Sequence, residues 1–253
     1  MWSDTHNGRP GGGALGRLGR LCVAACTLLA ISTATPSAEA PTPLESTTPR
    51  LQDPALKQYR AFRRMHAFNE KFGQEAWLEC WTELDDEGFR YNITSERGSE
   101  YVLNKVLRTL LRREQELIAD GQADRAEFTP ANYEFTEPGI DAAGQRYVMM
   151  KPRRKDVLLV DGRMVLTPEG NDVVRVEGKL SKNPSFWTSL VNVIRQFARL
   201  DGVRVPLTTE SVAKLKFAGL SRMDVRYEYE TINGRPVSFH ARQIMASSLS
   251  NGR

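Results

Sequence analysis

Residues 146–187 read RYVMMKPRRKDVLLVDGRMVLTPEGNDVVRVEGKLSKNPSFW, and this stretch decides the fold class. It holds three apolar, β-rich segments, separated by a basic link, an Asp161-Gly162 turn and a loop from Thr167 to Asp172. Sequential strands joined by short turns are typical of an antiparallel meander. Residues 147–150 and 157–160 are apolar at every position, which indicates strands buried on both faces. The stretch therefore predicts a sheet with helices on one side.

Further strands are predicted on both sides of this stretch. Residues 77–93 alternate in period two around the acidic link from Asp85 to Gly88, which predicts a hairpin. Residues 190–200 fit a helix or a strand, and their β-branched content and the following Asp201-Gly202 turn favour a strand. Asn233-Gly234 closes another tight turn. We count about nine or ten strands.

Two helices are predicted before the meander. Asp53-Pro54 starts the first, apolar residues at near-helical spacing continue it, and Gly73 ends it. Its basic side chains form either a solvated face or a contact with an anionic surface: Lys57, Arg60, Arg63 and Arg64. Residues 99–120 carry a wide apolar stripe and predict the second helix. That stripe could lie on the sheet or close over an apolar cavity.

The two ends of the chain are expected to lie outside the domain. Basic residues precede the apolar run LCVAACTLLAISTA at 21–34, and Ala38-Glu39-Ala40 offers a small-x-small cleavage pattern. Residues 1–40 are therefore predicted as a secretory signal cleaved near Ala40, which leaves no stable membrane span; a retained anchor is the alternative. Residues 41–52 are predicted as a flexible leader, 53–237 as a single domain and 238–253 as a weakly structured tail.

Composition and motifs exclude several classes of function. The chain has 35 basic and 31 acidic residues, too even a balance for a nucleic-acid partner. Beyond the signal only Cys80 remains, so no disulfide framework is expected and a buried thiol is the favoured interpretation. His66 and His240 have no partner at ligand spacing, and nucleophile, phosphate-loop and dinucleotide motifs are absent. We expect neither metal nor cofactor, and no enzymatic activity.

The order of these features resembles a known superfamily. They are the exported leader, an initial helix, the hairpin at 77–93, the helix at 99–120 and the long meander. The runs that carry the likeness are KPRRKDVLLVDGRMVLTPEGNDVVRVEG (151–178), PSFW (184–187) and GVRVP (202–206). On these, residues 55–235 resemble the periplasmic lipoprotein-carrier superfamily. It includes the carrier LolA, the receptor LolB, the lipid-sensing domain of RseB and MucB, and outer-membrane lipoprotein-sorting-like proteins.

The resemblance implies both a fold and a function. The implied fold is α+β, a strongly curved antiparallel half-barrel of about nine or ten strands with helices covering its concave face. The implied function is a periplasmic carrier or sensor that shelters acyl chains of a lipid or lipoprotein in an apolar cavity. The alternative is a filled half-barrel that acts as an interaction module for another envelope protein.

Strand alternation nominates residues that would line such a cavity. Each of them could equally be ordinary core, and the sequence leaves both interpretations open. They are Leu78, Phe89, Tyr91, Met149, Leu158 and Val165.

Overall fold

The computed structural model describes residues 54–168 and 172–250. The signal peptide predicted at residues 1–40 and the leader predicted at 41–52 lie outside the described residues. Within the described ranges, no helix is both long enough and apolar enough to cross a membrane.

The described residues form strands and a few helices. The strands are β1 (Tyr59–Asn69), β2 (Gln74–Asp85), β3 (Gly88–Gly98), β4 (Tyr133–Phe135), β5 (Gly139–Ile140), β6 (Arg146–Pro152), β7 (Val160–Leu166), β8 (Val173–Leu180), β9 (Thr188–Leu200), β10 (Val203–Leu215), β11 (Gly219–Ile232) and β12 (Arg235–Pro236). Helix α1 has three consecutive segments: α-helical Glu100–Val102, π-helical Leu103–Leu107 and α-helical Arg108–Ala119. A 3-10 helix (Ala123–Ala126) follows α1, and helix α2 (Phe239–Ser250) comes last.

All strands join one antiparallel sheet that does not close. Its order is β3-β2-β1-β11-β10-β9-β8-β7-β6-β4, with β12 beside β11 and β5 beside β6. The β1 register shifts between Arg60 and Ala61, and the β2 register shifts between Glu79 and Cys80. Such bulges bend a sheet. The predicted class, a curved α+β half-barrel, is confirmed. The sheet has twelve strands within the described residues, more than the nine or ten predicted, because two of them, β5 and β12, are only two residues long.

Strand β1 takes the place of the helix predicted for residues 53–73, so that prediction was wrong. The buried positions of β1 fall at every second residue: Tyr59, Ala61, Arg63, Met65 and Ala67. The misleading residue is Phe62, which lies on the opposite face against Trp81, with ring centroids 5.2 Å apart. Both neighbours, β2 and β11, pair along the whole of β1. Tertiary pairing therefore overrides the helical spacing.

The Asp161-Gly162 turn was also predicted wrongly, because both residues lie inside β7. Gly162 is directly opposite Gly178 of β8. A Cβ added to Gly162 would lie 2.0 Å from the Glu177 carbonyl oxygen, so the two backbones approach more closely than a side chain permits. A glycine that allows close approach and a glycine that allows a turn look the same in sequence. Residues 157–159, expected in a strand, form a turn before β7.

The chain end differs from the weakly structured tail that its sequence suggests. Helix α2 contacts β9 and β10, and Ala241 and Met245 are buried. The Tyr229 N–H donates to Met245 Sδ at 3.4 Å. Strands β10 and β11 pair only between Thr208–Leu215 and Gly219–Arg226. Before Thr208 in β10 and after Arg226 in β11 the two strands separate, and α2 packs there. The apolar residues of this helix are not confined to one face, since Phe239 is exposed while Ala241 and Met245 are buried, which explains why its sequence pattern is weak.

The predicted hairpin and the second helix are confirmed. Strands β2 and β3 pair on either side of a short turn at Asp86. Helix α1 begins after Ser99, whose Oγ accepts the Val102 N–H at 3.4 Å, and the Ser99 N–H donates to the Glu75 carbonyl oxygen at 2.7 Å. These bonds fix the start of α1 to the start of β2. The helix then crosses the sheet with its apolar stripe buried: Val102, Leu103, Leu107, Leu110 and Leu111.

Candidate functional site

An apolar cavity of about 230 Å³ lies between the first half of α1 and one end of the sheet. Helix α1 contributes one wall, and the opposite wall comes from the ends of β1, β10 and β11. The loop before β9 and the turns at Phe72 and Phe217 complete the cavity. Its main apolar lining is Ala67, Phe72, Tyr101, Val102, Val106, Trp187, Ala213, Leu215, Phe217 and Met223.

Small side chains on the sheet make room for the cavity. Ala67 of β1 is directly opposite Met223 of β11, and Ala213 of β10 is opposite Ser221 of β11. These positions point toward α1, where other inward positions carry bulky groups such as Met65. Because an alanine fills much less volume than the side chains around it, space remains beneath the helix.

The helical wall is the π-helical segment of α1. In this segment Leu103 and Leu107 are buried, while Lys105 and Val106 line the cavity. The Thr109 Oγ1 hydroxyl donates to the Asn104 carbonyl oxygen at 2.8 Å, beside the widened turn. Single π-turns inside α-helices occur frequently at functional sites. The irregular part of α1 is therefore also the part that covers the cavity.

The second half of α1 is tied to the sheet by a buried ion pair. The guanidinium of Arg63 donates to both carboxylate oxygens of Glu114, at 2.6 and 2.8 Å, and both side chains are 0% exposed. Arg63 also donates to the Tyr59 hydroxyl at 2.9 Å. The Tyr227 and Phe89 rings lie 4.8 and 5.2 Å from the guanidinium carbon. Burial is the largest single influence and opposes the charge of Arg63, but the Glu114 carboxylate together with Tyr59 and Tyr227 outweighs it, so the pKa of Arg63 lies well above its ordinary value.

The six residues nominated from the sequence do not line the cavity. Leu78 and Phe89 are buried core, and Tyr91 is half-buried with its ring 6.2 Å from that of Phe89. Phe89 and Tyr91 lie on β3, which packs against the second half of α1, and Leu78 lies on β2, which contacts the π-helical segment. Their role in binding a ligand stays a prediction.

The other three nominated residues lie further away. Met149 is 43% exposed, on the opposite face of β6 from the buried Val148 and Met150. Leu158 is half-buried in the turn before β7. Val165 is buried, but it points away from Met164, its neighbour in the core. Sequence reasoning missed Arg63, Ala67 and Ala213 as residues of the site. The signal that could have found them is the period-two alternation along β1 and β10, which places all three on the inward face of the sheet.

Metal and nucleophile chemistry find no support in the described part of the chain. There, no group of three or more histidine, cysteine, aspartate or glutamate side chains could hold a metal ion. Cys80 is a free, buried thiol whose pKa is raised by burial to about 11. A thiol with that pKa is protonated at neutral pH and is a poor nucleophile.

A buried carboxyl group lies away from the cavity, just after the 3-10 helix. Glu127 is 8% exposed, and its Oε1 makes no hydrogen bond within the described residues. Burial, helped by the Asp124 carboxylate, raises the pKa of Glu127 from 4.5 to about 7. Next to it, Phe128 packs against Tyr133 and Phe197.

We expect Glu127 to make the protein less stable as the pH rises from about 4.5 to 7. In that window the folded protein holds a proton that the unfolded chain releases, so the stabilisation is complete below 4.5 and is lost through the folded pKa of about 7. The loss is on the order of 1–3 kcal/mol. Glu127→Gln should remove this slope from urea midpoints measured between pH 4.5 and 8. Identical slopes in both proteins would contradict the assignment.

Comparisons with known proteins show a structural likeness and no sequence match. No model of a known protein family and no curated protein matches the sequence. A solved structure of a LolA superfamily protein from Nitrosomonas europaea is similar, with 11% identity and a TM-score of 0.36. The match covers 73% of this chain and 89% of that one. An identity and a TM-score this low carry no conclusion about the function of this chain.

Proposed function

We propose that this protein shelters an acyl chain in the cavity under α1, as a carrier or sensor for a lipid or lipoprotein. The observation that carries the proposal is an apolar cavity that opens at the surface beside an irregular helix. Burying an acyl chain gains about 0.8 kcal/mol for each methylene group. Ordinary ligand pockets measure roughly 300–1,000 Å³. A cavity of about 230 Å³ therefore suits part of one chain.

Larger cargo would require the first half of α1 to move. That half is held at its start by Ser99 and by apolar contacts, whereas the part after the π-helical segment is anchored by the Arg108–Glu96 and Arg63–Glu114 pairs. The π-helical segment lies between Ser99 and these pairs, and a helix bends most readily at such a turn. Opening there would extend the cavity toward Leu78, Phe89 and Tyr91, the nominated residues that lie beneath α1.

The same proposal places the protein in the periplasm. It rests on the secretory signal predicted at residues 1–40 and on Cys80 as the one cysteine beyond that predicted signal, since a periplasmic domain of this size can be stabilised by its core without disulfides. The proposed activity is binding and release, without catalysis.

An interaction module is the second candidate, and one surface feature favours it. A groove of about 470 Å³ lies on the outer face of β11, β1, β2 and β3. In it, Trp77 is stacked on His66 with ring centroids 4.9 Å apart, and the Arg97 guanidinium lies 4.3 Å from the Trp77 ring. Tryptophan and arginine are enriched at protein interfaces. An envelope protein is the partner that such a groove would suit.

Lipid extraction and a cavity-filling variant test the carrier proposal. The native protein should carry lipid detectable by mass spectrometry and should bind a fluorescent fatty acid. Ala213→Phe fills the cavity and should weaken fatty-acid binding at least about tenfold. Val212→Phe adds similar bulk to the opposite face of β10 and should bind like the native protein.

Three results would count against the carrier proposal. Absence of both co-purifying lipid and fatty-acid binding in the native protein would favour the interaction module. Unchanged binding by Ala213→Phe would remove the cavity as the site. Equal losses in both variants would show that binding does not depend on the cavity face of β10, and would also remove the cavity as the site.

A further inference from the structure

Exposed aromatic side chains are concentrated at the mouth of the cavity. Five aromatic residues among those described are largely exposed, and four lie here: Phe72 (59%), Tyr101 (62%), Phe186 (76%) and Phe217 (67%). They come from four separate elements, namely the β1–β2 turn, the start of α1, the β8–β9 loop and the β10–β11 turn. Contiguous exposed apolar surface on a soluble domain marks a site of interaction.

Contacts join these side chains into one rim. The Trp187 ring lies 5.3 Å from that of Phe217 and 5.4 Å from that of Phe186. Phe72, Tyr101, Trp187 and Phe217 line the cavity itself. Lys71 Nζ donates to the Phe217 carbonyl oxygen at 2.8 Å and holds two of the turns together. We call Phe72, Tyr101, Phe186, Trp187 and Phe217 the aromatic rim.

Lysine side chains accompany the aromatic rim. Lys216 Nζ lies 3.8 Å from the centre of the Phe186 ring, and Lys71 Nζ lies 5.8 Å from that of Phe72. Lys105 lines the cavity, and its ammonium group makes no hydrogen bond or ion pair within the described residues. The nearby carboxylates are already engaged, Glu70 by Arg222 and Glu100 by Arg108. The rim therefore presents positive charge beside aromatic surface.

We propose that the aromatic rim docks on an anionic membrane surface. Aromatic rings settle at the headgroup level of a bilayer, and lysines next to them are attracted by anionic headgroups while their apolar stems lie along the surface. Bound in this way, the cavity opens directly onto the lipid, so an acyl chain enters or leaves without crossing water. This use of the surface rests on the proposed acyl-chain binding, whereas docking itself is measured separately.

Vesicle binding tests the proposal. The protein as processed and purified from cells is titrated with vesicles of phosphatidylethanolamine and phosphatidylglycerol, and with neutral phosphatidylcholine vesicles. It should bind the anionic vesicles, bind the neutral ones weakly, and lose affinity as salt is raised. Phe186→Ser combined with Phe217→Ser should weaken anionic-vesicle binding at least about tenfold. Phe239→Ser is the matched control, since Phe239 is 77% exposed but lies at the start of α2.

A second pair of variants tests the contribution of charge. Lys105→Gln with Lys216→Gln should reduce the preference for anionic over neutral vesicles. Lys151→Gln with Lys155→Gln, equally exposed but on and beside β6, should retain that preference.

Several results would overturn docking on the membrane. They are no binding of the native protein to anionic vesicles, equal salt-independent binding to both vesicle types, and equal losses in the Phe239→Ser control. Capture of a protein partner that depends on the rim, without vesicle binding, would also overturn it. Fatty-acid binding in solution is measured on the same variants. If the native protein binds fatty acid but does not bind anionic vesicles, docking alone is wrong; if the native protein binds no fatty acid, the proposed function is wrong.

Discussion

Replacing Glu114 by glutamine should destabilise the protein by about 3–5 kcal/mol, because the change leaves the Arg63 guanidinium buried without a counter-charge. The Arg63 and Glu114 side chains are both 0% exposed and share two hydrogen bonds. Urea unfolding followed by circular dichroism measures the loss. Combining Arg63→Met with Glu114→Leu should recover most of it, since an apolar pair of similar size needs no desolvation of charge.

An exposed pair provides the control for this result. Glu134 lies 3.1 Å from Arg153 on the surface, with side chains 60% and 49% exposed. Glu134→Gln should cost less than about 1 kcal/mol, because solvent screens the pair. If Glu114→Gln were as mild as Glu134→Gln, water would have to reach the Arg63 site, and α1 would not be anchored there. That outcome would also remove the argument that α1 opens only at its first half.

Replacing Gly162 by alanine should destabilise the protein by about 3 kcal/mol, at the upper end of what overpacking costs. The added methyl group would lie 2.0 Å from the Glu177 carbonyl oxygen and 2.6 Å from the Gly178 Cα, and neither atom belongs to a side chain that can rotate away. The strands β7 and β8 must therefore separate or shift. Urea midpoints measure the cost, and hydrogen exchange should show loss of amide protection in these two strands first.

The neighbouring residue Lys179 distinguishes strain from a general effect of mutation in β8. Lys179 is exposed and lies 3.8 Å from Asp161, so Lys179→Ala should change stability by less than about 0.5 kcal/mol. Unchanged amide protection in Gly162→Ala would show that the strands can move apart at little cost. In that case the opposed glycines would not determine how closely β7 and β8 approach.

Secondary structure was predicted well where a local signal was complete. The hairpin of β2 and β3 has alternation and an acidic Gly-ending turn, and α1 has a capping serine, a wide apolar stripe and a glycine after its end. In β1 the same local rules failed. Its inward positions include Arg63, and its outward positions include Phe62, because both faces of this strand are covered by other side chains. Hydrophobic spacing cannot then tell which face is the core.

The candidate site was the part that sequence predicted least. The cavity exists because Ala67 and Ala213 fill less volume than the larger side chains at neighbouring inward positions. Nothing in the sequence around an alanine indicates that the space beside it is empty. The aromatic rim joins residues from four elements spread between Phe72 and Phe217. Leu78, Phe89 and Tyr91 were nominated by alternation alone, which identifies the inward face without showing whether that face is filled.

The sequence by itself determined the fold class, the antiparallel order of the meander, the hairpin and the principal helix, because each depends on patterns among neighbouring residues. Only the tertiary structure decided that Arg63 is buried against Glu114, that Gly162 meets Gly178, and that a cavity with an aromatic rim opens beneath α1. These features depend on contacts between residues far apart in the chain. Curvature of the sheet and the crossing of α1 bring those residues together, and neither is set by any one segment.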